Sequence, residues 1–209
     1  MNEQVTVFGA SGRVGRLVVK ELLARGYRVV AVVHRKNRLR THASLQVVSA
    51  DIYDADAIDE ALVGSQIVVS CLGSWGTVRK DILTVGITHI IASMKRRGIT
   101  RVVSLTGADA RAAGDKLSIV HRLTHMALGL VASRVLRDGE RHIALLERSG
   151  LDWTVLRSPI MTGGASTRPV EVTDRRPLPW QRVSRQAVAL AMVALVQGGG
   201  QSQRAPYIL

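Results

Sequence analysis

Through the first half of the chain, short apolar runs alternate with segments whose apolar residues recur at three- and four-residue spacing. QVTVF (residues 4–8) has the length of a buried strand, and Arg13 to Arg25 places Val14, Leu17, Val18 and Leu22 on one helical face before Gly26 stops it. RVVAVV (28–33), LQVVSA (45–50) and QIVVSCL (66–72) predict three more strands, with a short helix in DADAIDEALVG between the last two. A long helix is expected within Thr77 to Arg97, closed by Gly98, and RVVSLT (101–106) is a fifth strand. RDGERHIALLERSG (137–150) reads as a helix closed by Gly150, and DWTVLR (152–157) as a sixth strand, its Trp153 in the core. Ser184 is placed to cap a helix through Val196, and PYIL at residues 206–209 predicts an edge strand.

Short strands joined by helical crossovers predict a parallel sheet with helices on both faces. The fold class is therefore α/β: one doubly wound Rossmann domain over residues 1–209. Segments 108–130 and 161–182 do not fit the alternation. Both follow a strand, so they emerge at the carboxyl edge of the sheet, where ligands of open α/β folds bind.

A length of 209 residues suits a single core, and aromatics at 3% make that core aliphatic. The longest late apolar stretch, AVALAMVALV, is about half the ~20 residues a bilayer span requires. No secretory pattern precedes the first strand, and the lone Cys71, at a buried strand end, offers neither a disulfide nor a metal-site spacing. These features predict a cytoplasmic protein without membrane spans, and no membrane is expected as a partner. The formal net charge of +13 could draw nucleic acid, anionic lipid or acidic small molecules. The basic residues are scattered and accompany no nucleic-acid signature, which argues against nucleic acid as the partner.

The chemistry is concentrated in VFGASGRVGR (7–16). Glycines also serve plain tight turns, but this loop follows a strand and opens a helix in a βαβ unit, the context of a dinucleotide cradle. Gly9 would permit the turn, Gly12 the approach of a pyrophosphate, and Gly15 close packing of helix on strand. Arg13 is either a phosphate contact or a solvated first-turn arginine. About twenty residues on, an NAD site would present a carboxylate to the ribose. The sequence has HRKNRLR (34–40) there, which favours the 2′-phosphate of NADP(H), or is simply a solvated basic loop.

GxxGxxG in VFGASGRVG, ADI (50–52), CLG (71–73) and SGLDWTVLRSP (149–159) together resemble the atypical short-chain dehydrogenase/reductases. Within them the chain is similar to the NAD(P)H-binding group that contains flavin reductase/biliverdin reductase B and the NmrA-like regulators. The resemblance implies that Gly9, Ser11, Gly12, Val14 and Gly15 hold the pyrophosphate, that Asp51 and Ile52 flank the adenine, and that Leu72 and Gly73 line the middle of the cofactor. The family commonly has arginine where His34 stands and a basic residue where Arg38 stands. A neutral His34 would leave the 2′-phosphate to Arg35 or Arg38. Thr106 and Pro159, after the fifth and sixth strands, fall beside the cofactor, with Thr106 also the candidate catalytic hydroxyl. Ser74, Trp75 and Ile160 fall on the substrate side.

The family's better-known enzymes use a tyrosine and a lysine four residues apart. Here Tyr27 and Tyr53 are followed at that spacing by Ala31 and Ala57, and Tyr207 lies too near the end of the chain. The expected activity is hydride transfer from NADPH to a planar, anionic acceptor such as a flavin or quinone, since these need no such pair. The alternative is a non-catalytic NAD(P) sensor acting through a protein partner. The expected assembly is a monomer or homodimer.

Three other groupings have bland readings. His121 and His125 would share a helix face as metal ligands do, but no carboxylate or cysteine joins them in sequence, and no metal is expected. Trp180, in RRPLPWQR, suits a surface lid. Glu140 and Glu147 precede Arg141 and Arg148, which predicts exposed salt bridges.

Overall fold

The computed structural model describes residues 3–34, 37, 39–164, 171–198 and 201–209. The chain forms β1 (Gln4–Phe8), α1 (Gly15–Ala24), β2 (Arg28–Val33), β3 (Leu45–Ser49), α2 (Ala55–Ala61), β4 (Ile67–Ser70), α3 (Ile82–Arg96) and β5 (Arg101–Gly107). There follow α4 (Ile119–Val131), α5 (Ser133–Glu147), β6 (Asp152–Ser158), β7 (Ile160–Thr162), β8 (Val172–Thr173), β9 (Arg182–Ser184), α6 (Arg185–Val196) and β10 (Tyr207–Ile208).

Eight strands make one sheet in the order β3-β2-β1-β4-β5-β6-β10-β8, parallel except for the β8–β10 pair. The first six follow the doubly wound Rossmann order, with the crossover reversing between β1 and β4. β7 and β9 form a separate parallel ribbon. β10 is not the edge predicted for PYIL: it runs beside β6 and is covered by β8, which is the true edge.

Apolar residues on both faces of the strands divide the core in two. On one face α1 and α6 pack with Val18, Leu22, Val188 and Met192; on the other α2, α3 and α5 contribute Ile58, Ile90, Met94 and Ile143. Trp153 is in this second cluster, 6% exposed, as its strand pattern predicts. Local chemistry fixes the helix ends. Asp54 caps α2 by accepting from the Asp56 and Ala57 amides, and Ser184 caps α6 by accepting from Ala187. Gly26, Gly98 and Gly150 close α1, α3 and α5 in the left-handed region.

The helix expected over 137–150 begins earlier, at Ser133, because α4 and α5 are nearly continuous and are separated only at Ala132. Segment 108–130 thus contains most of a helix, and segment 161–182 contributes β7, β8 and the start of β9.

A charged clamp holds the carboxyl-edge segments to the sheet. Arg157 on β6 is 4% exposed; it pairs with Asp115, donates to the Ala205 carbonyl at 2.7 Å and lies 3.8 Å over the Tyr207 ring. Arg176 joins the same carboxylate at 2.9 Å. One carboxylate thereby ties the loop after β5 to β6 and to the segment after β8.

Candidate functional site

The end of β1 turns at Gly9, whose φ of +70° suits glycine, and a Cβ there would stand 2.7 Å from the Cys71 carbonyl oxygen at the end of β4. A Cβ on Gly15 would stand 2.2 Å from the Gly9 carbonyl oxygen. Both glycines are therefore dictated by backbone packed on backbone. Gly12 bonds its amide back to Gly9 at 3.0 Å and is exposed. α1 has no side-chain cap at Val14 and no acidic residue in its first turn. The Arg16 and Leu17 amides donate to the Gly12 and Val14 carbonyls, whereas those of Arg13, Val14 and Gly15, at the positive end of the helix dipole, have no acceptor among the described residues, which fits an anionic pyrophosphate.

From this loop a cleft of about 1750 Å³ crosses the carboxyl edge of the sheet. Gly9, Ser11, Gly12, Arg13 and Val14 line one part; Gly15 is buried beneath them. His34, Asp51 and Ile52 line the next, then Leu72 and Gly73, then Thr106, Pro159 and Ile160. The structure thus brings the described sequence-selected residues to one surface. Arg35 and Arg38 lie outside the described residues. His34 stands 3.4 Å from the Asp51 carboxylate, so the ends of β2 and β3 are joined at this end of the cleft.

On the far wall, the inner face of α4 presents Thr124, Ala127, Leu128 and Val131, opposite Ile160 and the segment 177–179. Trp75 is 70% exposed at the mouth, free to meet a ligand rather than packed under its loop. Ser74 lies beneath it, 1% exposed, and its hydroxyl donates to Asp138 at 2.5 Å.

Asp138, on α5 and 3% exposed, was not singled out from the sequence. It also accepts from the Leu83 amide at 3.1 Å and the Thr84 amide at 2.8 Å. It therefore caps α3 from another helix and pins the loop that carries Trp75. Its neighbour Gly139 lets α5 approach β5, for a Cβ there would lie 2.9 Å from Thr106 Oγ1. Gly86 on α3 does the same beside Ile52 and Leu72, each of which a Cβ would meet at 2.7 Å. An Asp-Gly pair and a lone glycine inside helical patterns were the available signals, since neither suits a helix interior by propensity.

Asp138→Ala is expected to cost about 2–3 kcal/mol, because two buried amides and a hydroxyl lose their acceptor. Urea titration measures the loss, and faster exchange of the Leu83 and Thr84 amides locates it.

α5 and β5 contribute a further polar pair. His142 is fully buried with Nε2 2.8 Å from Ser104 Oγ, and burial pushes its pKa down to about 4, so it is neutral at ordinary pH. Cys71 faces Met192 Sδ at 3.9 Å, and burial raises its thiol to about 12, leaving it protonated and inert.

His121 and His125 do not converge. His121 Nε2 meets the Pro177 carbonyl at 3.1 Å, whereas His125 Nε2 meets Glu140 at 2.9 Å. No metal-holding cluster occurs among the described residues. Glu140 is thus paired with His125 rather than with Arg141, and half-buried Glu147 accepts from the Ala113 amide at 3.0 Å rather than pairing with Arg148. Both depart from the exposed pairs expected, because α4 and the loop after β5 fold back onto α5.

None of the three tyrosines is poised as a proton donor. Tyr27 is in the core. Tyr53 lines the cleft but donates to Asp81 at 2.6 Å; burial and that carboxylate push it up to about 12, against the charge of Arg79 stacked 3.5 Å over its ring. Tyr207 is raised to about 12 by burial, against the neighbouring arginines of the clamp.

The family model for NAD(P)H-binding proteins matches residues 9–198. The chain belongs to that NAD(P)H-binding family. Among curated proteins the chain is similar to an uncharacterised protein of Mycobacterium bovis, 28% identical over 174 residues, which cover 81% of this chain but 18% of that protein. The chain therefore spans less than a fifth of that relative. A divinyl chlorophyllide a 8-vinyl-reductase of Arabidopsis thaliana is 36% identical over 91 residues, covering 37% of this chain and 22% of the reductase. Among solved structures, a short-chain dehydrogenase/reductase of Veillonella parvula in complex with NADP superposes with a TM-score of 0.80 at 16% identity, covering 100% of this chain and 94% of that one. An anaerobilin reductase of Escherichia coli superposes with a TM-score of 0.77 at 21% identity, covering 99% and 96%. The structural likenesses establish the Rossmann fold. Among the described residues, no helix is long and apolar enough to cross a membrane.

Proposed function

We propose that the chain is an NADPH-dependent reductase that passes hydride to a planar conjugated acceptor, of flavin, quinone or tetrapyrrole type, without a side-chain proton donor. The observation that carries the reading is the cleft itself: its cofactor end is a glycine cradle, its far end an apolar wall, and its only tyrosine has its proton held by Asp81. The bound dinucleotide would supply the hydride, which leaves as an electron pair with its proton and reduces the conjugated system; the balancing proton comes from water. The protein's part is to align two flat rings and limit water, with Thr106 at the join and Trp75 as a stacking surface. The tetrapyrrole reductases among the relatives and neighbours support that acceptor class.

Preference for NADPH over NADH is part of the proposal, supported by the basic run after β2. Asp51 stands beside His34, and the proposal assigns the 2′-phosphate to the arginines of that run. NADPH is expected to bind about tenfold or more tightly than NADH; equal affinities in a fluorescence titration would remove the preference. For the activity, NADPH oxidation is followed with FMN, a soluble quinone, biliverdin and a set of simple carbonyl compounds. Turnover with a conjugated acceptor and none with the simple carbonyls is the expected result. Tight binding with no oxidation by any of them would instead support the non-catalytic sensor.

A further inference from the structure

α4 is a helix of 13 residues without one buried side chain. Its inner face lines the cleft, whereas Ile119, Leu123, Met126 and Leu130, at spacings of four, three and four, form a stripe on the outside. These four are 76%, 61%, 66% and 88% exposed. Monomeric soluble proteins rarely leave such a contiguous stripe uncovered.

A second surface lies on α5, which follows α4 after Ala132 alone. A recess of about 470 Å³ is lined by Arg79 and Lys80 before α3 and by Arg134, Arg137 and Arg141 on α5. Among the described residues none of these five pairs with a carboxylate. The two acids nearby are occupied, Asp81 by the Tyr53 hydroxyl and Asp138 by its three donors. Val78, 99% exposed, borders both the recess and the cleft mouth.

We propose that this face seats on an anionic bilayer surface, with the outer stripe of α4 among the acyl-chain ends and the five cations among the headgroup phosphates. Charge complementarity selects this occupant. Two copies meeting across the same face would bury these cations without carboxylates to pair them, whereas anionic headgroups neutralise them, and the net charge of +13 draws the whole chain the same way. At 13 residues α4 is about 20 Å long, too short to span and suited to lying in the interface. Its inner face is a wall of the cleft, so docking places the cleft mouth at the level of the headgroups. The proposal stands apart from the reductase reading, because binding to lipid needs no turnover.

The test is co-sedimentation of the full chain with vesicles of phosphatidylcholine alone or with phosphatidylglycerol as about a quarter of the lipid. The wild type is expected to sediment with the anionic vesicles only. Two variants, Leu123→Glu/Met126→Glu and Arg134→Glu/Arg137→Glu/Arg141→Glu, are each expected to lose binding by about tenfold or more while still binding NADPH, which shows them folded. Two results would overturn the proposal. One is binding that survives the Leu123→Glu/Met126→Glu change, which is charge attraction without insertion. The other is no vesicle binding by a wild type that light scattering shows to be a dimer and that the same change converts to monomer.

Discussion

Gly15→Ala is expected to weaken NADPH binding by about 100-fold or more, equivalent to roughly 2.7 kcal/mol. The added methyl would sit 2.2 Å from the Gly9 carbonyl oxygen and 2.9 Å from the Ala10 Cα, both backbone atoms. No rotamer relieves such a contact, so the loop or the helix start must shift. Either shift disturbs the amides before α1 that would receive the phosphates. Gly129→Ala is the matched control, since a Cβ there meets nothing within 4 Å and alanine favours a helix. Fluorescence titration with NADPH, beside circular dichroism to show both variants folded, reads the difference. Equal affinities for the two variants would remove the cradle from the site.

Arg157→Leu is expected to destabilise the protein by about 3–5 kcal/mol, the usual consequence of removing one partner from a buried ion pair. Asp115 would keep Arg176 alone, and the Ala205 carbonyl and the Tyr207 ring would lose the guanidinium. For a chain of this length the melting temperature should fall by roughly 10 °C. A pH signature accompanies it. Burial raises the Asp115 carboxyl pKa, but the hydrogen bond and charge of Arg157, with the Ala112 amide and Arg176, hold it below its ordinary 3.8. A group lowered on folding contributes stability above its unfolded value and loses it as pH falls through the folded one. The wild-type contribution therefore fades only below about pH 3.8. Without Arg157, burial is less opposed, and acid unfolding should begin at higher pH. Urea midpoints at neutral and mildly acidic pH test both statements; a variant as stable as wild type throughout would show the clamp to be inert.

The succession of strands and helices was readable because each rests on local patterning. QVTVF, RVVAVV and DWTVLR are apolar runs of strand length, and glycines at 26, 98 and 150 mark helix ends in the chain itself. The cradle was readable for the same reason: Gly9, Gly12 and Gly15 act on atoms within a few residues or on the adjacent strand.

What the sequence did not disclose depends on distant partners. Asp138 looks like one more charge on a basic helix until the fold brings it to Ser74 and the start of α3, 64 and 54 residues away. The clamp around Asp115 joins four separated segments, and PYIL became an interior strand only because β8 covers it. His34 was read as a departure from the family's arginine that leaves the 2′-phosphate to Arg35 or Arg38, and nothing in its sequence neighbourhood announced Asp51 beside it. Periodicity carries no information about such meetings.

Adjacent residues of α5 touch two parts of the cleft lining at the ends of the neighbouring strands β4 and β5: Asp138 holds the loop under Trp75, and Gly139 abuts Thr106. The gap between those two parts is consequently set by one rigid turn of helix and cannot be widened by a local change in either. Divergence toward larger or smaller acceptors must then be written elsewhere, in the inner face of α4 and in residues 177–179. On the proposed reductase reading, those are the positions at which libraries aimed at new acceptors should begin, leaving Trp75 and Thr106 in register.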